Sequence, residues 1–152
     1  MKGIIVQCID LEPATAAKAK EMEILHIDLG DTPGYIATDC LGRKSWVSGD
    51  AVLNNYFIIN NDDSITKEDV ERFIWNFKAG TIGKKTTVAT ATTLTGYEVT
   101  KTSACVNPKN YDIEIGKDIT YSSIIDELLE KLGFVLQWAI NGVNPSKTKN
   151  EE

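Results

Sequence analysis

A single histidine, His26, stands in a chain of 152 residues, and that scarcity removes much of the catalytic repertoire. With one histidine there is no HExxH, no paired-His site and no Cys–His spacing that would hold zinc. A Ser–His–Asp triad would have to recruit His26, yet no GxSxG elbow surrounds any serine. His26 falls in an alternating, strand-like segment and is read as structural. Cysteine is also sparse: Cys8, Cys40 and Cys105 form no CxxC pair and their number is odd. They are expected to be buried, small apolar residues in a reducing compartment. No apolar run reaches the ~20 residues needed to span a bilayer. The apolar N-terminal stretch meets Asp10 and Glu12 before it resembles a signal peptide. A cytoplasmic protein with no membrane partner is expected.

Positive charge is short as well. Sixteen Lys and Arg face 22 Asp and Glu, a net charge of −6. Such a balance argues against a broad DNA- or RNA-binding face, which must be basic. A small phosphorylated ligand needs only two or three local cations and stays open. Only two of the cations are arginines, Arg43 and Arg72.

What is present is ordinary globular material, 42% hydrophobic and 25% charged. At this length the chain buries roughly 70% of its unfolded surface and needs no metal or disulfide to fold. Residues 2–9 are β-branched and read as a strand. Pro13 and the following TAAKAKEM suit a short helix. EILHIDL, GYIATDC and KSWV read as strand-like, and SGDAVLNNY as a helical turn capped by Ser48. The polar stretch NNDDS (60–64) is the best internal boundary.

Beyond it, Thr66 and Asp69 form a capping-box signature, and Val70, Phe73, Ile74 and Phe77 share a helical face. The pattern predicts a helix that ends at Ala79-Gly80. TTVATATTL (86–94) and YEVTKTSACV (97–106), joined at Gly96, predict a β-hairpin. Pro108 and Asn110 mark a turn. A long helix follows from about Ile115, with Ile119, Ile125, Leu128, Leu129 and Leu132 on its apolar side and an interruption at Gly133. The fold class is α+β: an antiparallel hairpin or sheet packed against helices, with a small β-rich N-terminal unit. The organisation is an N-terminal unit over 1–62, a helix–hairpin–long-helix unit over 63–144 and a disordered tail over 145–152.

Few groups in this frame suggest chemistry. GTIGKKTT (80–87) has two residues between its glycines, with a helix before it and a strand after. A Walker A loop needs four, in the reverse order, so an NTPase is excluded. Lys84 and Lys85 remain as phosphate contacts of the point-charge kind. Asp126, Glu127 and Glu130 fall on the polar side of the long helix, where charges normally lie. Trp75 lies off the apolar stripe of its helix. Tyr97 directly follows the hairpin glycine, a position from which an aromatic ring can stack on a base.

One long motif adds to this reading. Gly96-Tyr97, then Ser103-Ala104-Cys105-Val106-Asn107-Pro108, then Asn110-Tyr111-Asp112, Glu114 and Gly116 resembles a family of small phage and prophage proteins. The resemblance covers roughly 64–140. The broad group includes the first-class Thoeris anti-defence proteins. The resemblance implies a non-enzymatic sponge that sequesters a cyclic ADP-ribose signal, without cofactor or metal. It also implies a homo-oligomer, dimer or hexamer, with ligand at the dimer interface. Carried onto this chain, Tyr97 would stack on adenine, Asn107 would hydrogen-bond the ligand and Arg72 would pair with phosphate. Arg43, the only other arginine, and Lys84 complete the candidate set. The chain departs from the pattern in two places. Tyr97 stands where Phe is common, and the C-terminal helix has no arginine, leaving Lys117 and Lys131 in its place. Two other readings compete: a phage accessory protein acting through protein–protein binding, and an enzyme that degrades a nucleotide.

Overall fold

The computed structural model describes residues 5–143, and the expected disordered tail lies outside them. The described chain divides into two compact units, 5–58 with 135–143, and Ile59–Phe134. Each contains a three-stranded antiparallel sheet with strands in sequence order, so the fold is α+β.

In the first unit β1 (Asp10–Thr15) leads into α1 (Ala16–Glu21), and β2 (Pro33–Thr38) and β3 (Lys44–Ser48) lead into α2 (Gly49–Asn55). Of the strand expected over 2–9, residues 2–4 lie outside the described residues and 5–9 are irregular; the first strand is β1, which contains Pro13. Proline cannot donate to a ladder, and β1 is an edge strand, where that defect costs little. Thr15 and Ser48 cap the two helices, their side chains accepting from Lys18 N at 3.3 Å and Ala51 N at 3.2 Å. EILHIDL forms no strand: the chain leaves α1 through Glu23 at φ 60° and runs irregularly to Gly30. Gly34 lets two strands close up. A Cβ there would meet Trp46 Cζ2 at 2.6 Å and collide with Val47 O. The indole lies across this gap and donates to Ala14 O at 3.1 Å.

In the second unit α3 (Lys67–Phe73) precedes β4 (Ile74–Ile82), β5 (Thr86–Thr93) and β6 (Glu98–Ala104). A 3₁₀ turn (Pro108–Asn110) then precedes α4 (Ile113–Asn141), which belongs to this unit as far as Phe134. The capping box is present, with Thr66 and Asp69 bonding each other's backbone. The helix stops at Phe73, though, rather than at Ala79-Gly80, because IWNFKAGTI pairs with β5 along its length. The expected hairpin is therefore two strands of a three-stranded sheet. β5 alternates strictly: Thr87, Ala89, Ala91 and Thr93 are buried, and the residues between them are half-buried. α4 covers the buried side, where Ile124, Ile125 and Leu128 join Val70, Ala89, Ala91 and Val99 in one core. Phe77 and Tyr121 meet edge-to-face with centroids 5.1 Å apart. Gly133 does not interrupt α4, and Ile119 is half-exposed rather than in the core.

Candidate functional site

Strand β5 sorts the candidate residues of the second unit into two groups. One end of the sheet holds Tyr97, which follows Gly96 (φ +80°) in the β5–β6 turn. The end of α3 arrives there too, Leu94 N donating to Phe73 O at 2.9 Å. The other end holds Lys84 in the β4–β5 turn; there the Lys85 carbonyl accepts from Cys105 N at 2.9 Å and Lys85 Nζ donates to Val106 O at 3.2 Å. Asn107 follows directly. Thr86–Thr93 spans about 23 Å at ~3.3 Å per residue. Tyr97 and Arg72 therefore stand at one end of the sheet, and Lys84 and Asn107 at the other. Arg43 belongs to the first unit.

The Tyr97 end carries a charged cluster. Lys131 Nζ lies 5.6 Å from the centroid of the Tyr97 ring, which is 52% exposed. Lys131 is bound in turn to Glu127 at 3.3 Å, and Glu127 to Lys101 at 2.7 Å. Hydrogen bonding from Lys101, and then from Lys131, holds the Glu127 carboxyl below its usual range despite partial burial. The bond to Glu127 and the neighbouring Tyr97 raise the Lys131 ammonium. Glu127 is thus a half-buried counter-ion and not a solvated residue of a polar face. The spacing carries this signal in retrospect: Tyr97, just before β6, is four residues from Lys101 in that strand, and Glu127 and Lys131 are i, i+4 on a helix.

Arg72, Asn107 and Lys117 have structural partners. Arg72 pairs with Asp69 and also donates to Asn60 Oδ1 at 3.3 Å. Burial alone would raise the Asp69 carboxyl. Hydrogen bonds from the Thr66 backbone and hydroxyl, from Arg72 and from the Asn60 amide outweigh it and bring it below the usual value. Asn107 caps the 3₁₀ turn, its Oδ1 accepting from Lys109 N at 3.0 Å, and it presents its amide nitrogen. Lys117 is bound to Glu114 at 2.7 Å. Lys84 is exposed.

Much of the long motif is architectural. The Tyr111 hydroxyl sits between Thr81 Oγ1 at 2.8 Å and Thr87 Oγ1 at 2.9 Å. Asp112 Oδ1 accepts from Glu114 N at 2.8 Å and so caps α4. Gly116 lets that helix touch the sheet: a Cβ would lie 2.7 Å from Thr87 Cβ and collide with its hydroxyl. These three residues fix where α4 starts; Tyr97 and Asn107 are exposed, as are Val106 and Glu114 of the same motif.

The stretch 65–140, from α3 through nearly all of α4, matches the model of the phage protein family N4 Gp49/phage Sf6 gene 66. The chain belongs to this family. The Gp49/gene 66 match covers the second sheet and its helices and leaves the first sheet outside. Nothing matches among curated proteins or among solved structures.

Other features of this phage protein bear on chemistry. Cys40 is exposed and Cys8 and Cys105 are half-buried, which corrects the expectation of buried cysteines. His26 is exposed in an irregular segment. Among the described residues no cluster of metal-ligating side chains occurs, and no helix is long and apolar enough to cross a membrane. Trp75 is 73% exposed because β4 shifts register between Ile74 and Asn76, so one extra residue bulges out.

Proposed function

We propose that this phage protein binds and holds a cyclic ADP-ribose-type nucleotide signal without altering it, as an anti-defence sponge. The observation that carries the reading is the half-exposed Tyr97 ring beside the Lys131 ammonium, a stacking plane next to a cation. Adenine stacking on Tyr97 and phosphate approaching Lys131 would use both. Phosphate would compete with Glu127 for Lys131, exchanging one ion pair for another.

The separation along β5 adds a requirement. A ligand held between Tyr97 and Asn107 must draw them from different copies of the chain, which supports a homo-oligomer with the site at an interface. Burial there would strengthen charge-assisted bonds by excluding water. The non-enzymatic part of the proposal is supported by the engagement of the nearby acid, Glu127, with two lysines. A general acid needs a raised pKa, whereas Glu127 is lowered and ion-paired on both sides. Holding a ligand needs affinity alone, and a nanomolar Kd corresponds to about −12 kcal/mol.

The test is calorimetric titration of the chain with cyclic ADP-ribose isomers, including the glycosidically linked ones, followed by heating and identification of what is released. Tight binding with intact ligand recovered is expected. A degraded product would convert the reading to an enzyme, and no heat with any isomer would remove it. A second reading, a protein-binding accessory protein, is favoured by Trp75 and Leu94, both largely exposed at the Tyr97 end of the sheet.

A further inference from the structure

The first unit has a cleft of its own, of about 300 Å³, beside the turn joining β2 to β3. Asp39 organises that turn. Its Oδ1 accepts from Leu41 N and from Arg43 N, each at 2.9 Å, and its Oδ2 from Arg43 Nε at 2.6 Å. The backbone closes the same loop, Asp39 N donating to Arg43 O at 3.0 Å and Gly42 N to Asp39 O at 2.9 Å. The Asp39 side chain is 12% exposed and the Arg43 side chain 73%. The guanidinium is thus held by one nitrogen. Among the described residues no hydrogen bond is formed by its two terminal nitrogens, which carry four of the five N–H donors of the group.

Around this fork the cleft is mixed in character. Lys44 adds a second cation, and Ser45 and Gln7 add a hydroxyl and an amide. Tyr56, Ile9 and Ala37 supply the apolar surface. Its titratable side chains are Asp39, Arg43, Lys44 and Tyr56, so two cations and one carboxylate that is already engaged line it. A carboxylate that orients an arginine through Nε leaves the remaining face preorganised for two oxygens of an anion. The volume lies at the lower end of the ~300–1,000 Å³ typical of small-molecule sites. A mononucleotide or a sugar phosphate suits such a space better than a dinucleotide.

We propose that this cleft is a second, independent ligand site that takes a small phosphate monoester carrying a ring, with phosphate on Arg43 and Lys44 and the ring against Tyr56. It stands on the first unit alone and does not depend on the Tyr97 reading. Neither the family match nor the long motif reaches these residues.

The test is a nitrogen-15 NMR titration of the full chain with AMP, ribose 5-phosphate, inorganic phosphate and adenosine. Saturable shifts are expected at the amides of 39–45 and at Arg43 Nε with both phosphate monoesters. Inorganic phosphate should bind more weakly and adenosine should leave those signals unmoved. Arg43→Gln should weaken AMP by about tenfold or more, as expected for a charged hydrogen-bond fork. Because that change also releases Asp39, Lys44→Gln, which preserves the Asp39–Arg43 pair, is the second variant and should weaken AMP several-fold. Tyr97→Ala should leave the 39–45 response intact. The proposal is overturned by no saturable shift with AMP, by equal binding of adenosine, by unchanged affinity in both cation variants, or by loss of the response in Tyr97→Ala.

Discussion

The two sheets of this protein have the same topology and are held by different means. In the first unit an aromatic ring bridges the sheet: Trp46 fills the space left by Gly34 and ties to Ala14 across the middle strand. In the second, small buried residues on β5 admit a long helix, and hydroxyls then fix its position. Thr87 is the meeting point, touched by Tyr111 through a hydrogen bond and approached by Gly116 without a Cβ between. A shared strand order thus says little about what a substitution does. The packing partner decides.

That comparison is broken most severely at Asp69. Asp69→Ala removes the capping box and takes away the buried carboxylate that the Thr66 and Asn60 amides donate to, an expected loss of about 3 kcal/mol in denaturant unfolding. The effect should be confined to the second unit when amide hydrogen exchange is read residue by residue. It also has a pH signature. Asp69 and Glu127 are both lowered by folding, so their stabilisation is present above their unfolded values near ~4 and is lost as pH falls through the folded ones. Asp69→Asn should flatten that acid limb.

The two glycines offer the paired test. Gly34→Ala should loosen the first sheet and Gly116→Val the start of α4, each by about 2 kcal/mol, since both insert atoms where none fit. Exchange protection should fall in the unit that carries the change; equal loss in both units from either substitution would show that the distinction drawn here is wrong. Smaller effects concern the ligand. Tyr97→Ala should weaken nucleotide binding by about 30-fold, within the ~1–3 kcal/mol range of base stacking, while Tyr97→Phe stays near the parent. Lys131→Gln should cost about tenfold or less and reduce the salt dependence of binding.

What was legible in the sequence follows from how local each signal is. Caps at Ser48 and Thr66 depend on three or four residues and were readable. The hairpin was readable because β5 alternates and Gly96 supplies the one positive φ its turn requires. β4 was not, because Val70, Phe73, Ile74 and Phe77 satisfy a helical period as well as they do α3 followed by a strand. Pairing with β5, a non-local fact, decides between them. Of the candidate site, Tyr97 was singled out from its place after the hairpin glycine. The Lys101–Glu127–Lys131 cluster was missed because its members come from two elements whose alignment only packing sets. Arg72 was singled out as a cation, but whether a cation faces ligand or a buried carboxylate is not written in its neighbours.

The length of β5 has a consequence for stoichiometry. If each site combines the Tyr97 end of one copy with the Asn107 end of another, a two-fold pair holds two equivalent ligands, one for each chain. Ligand uptake and self-association are then linked by mass action. Dilution of the protein weakens apparent affinity, and saturating ligand drives dispersed chains together.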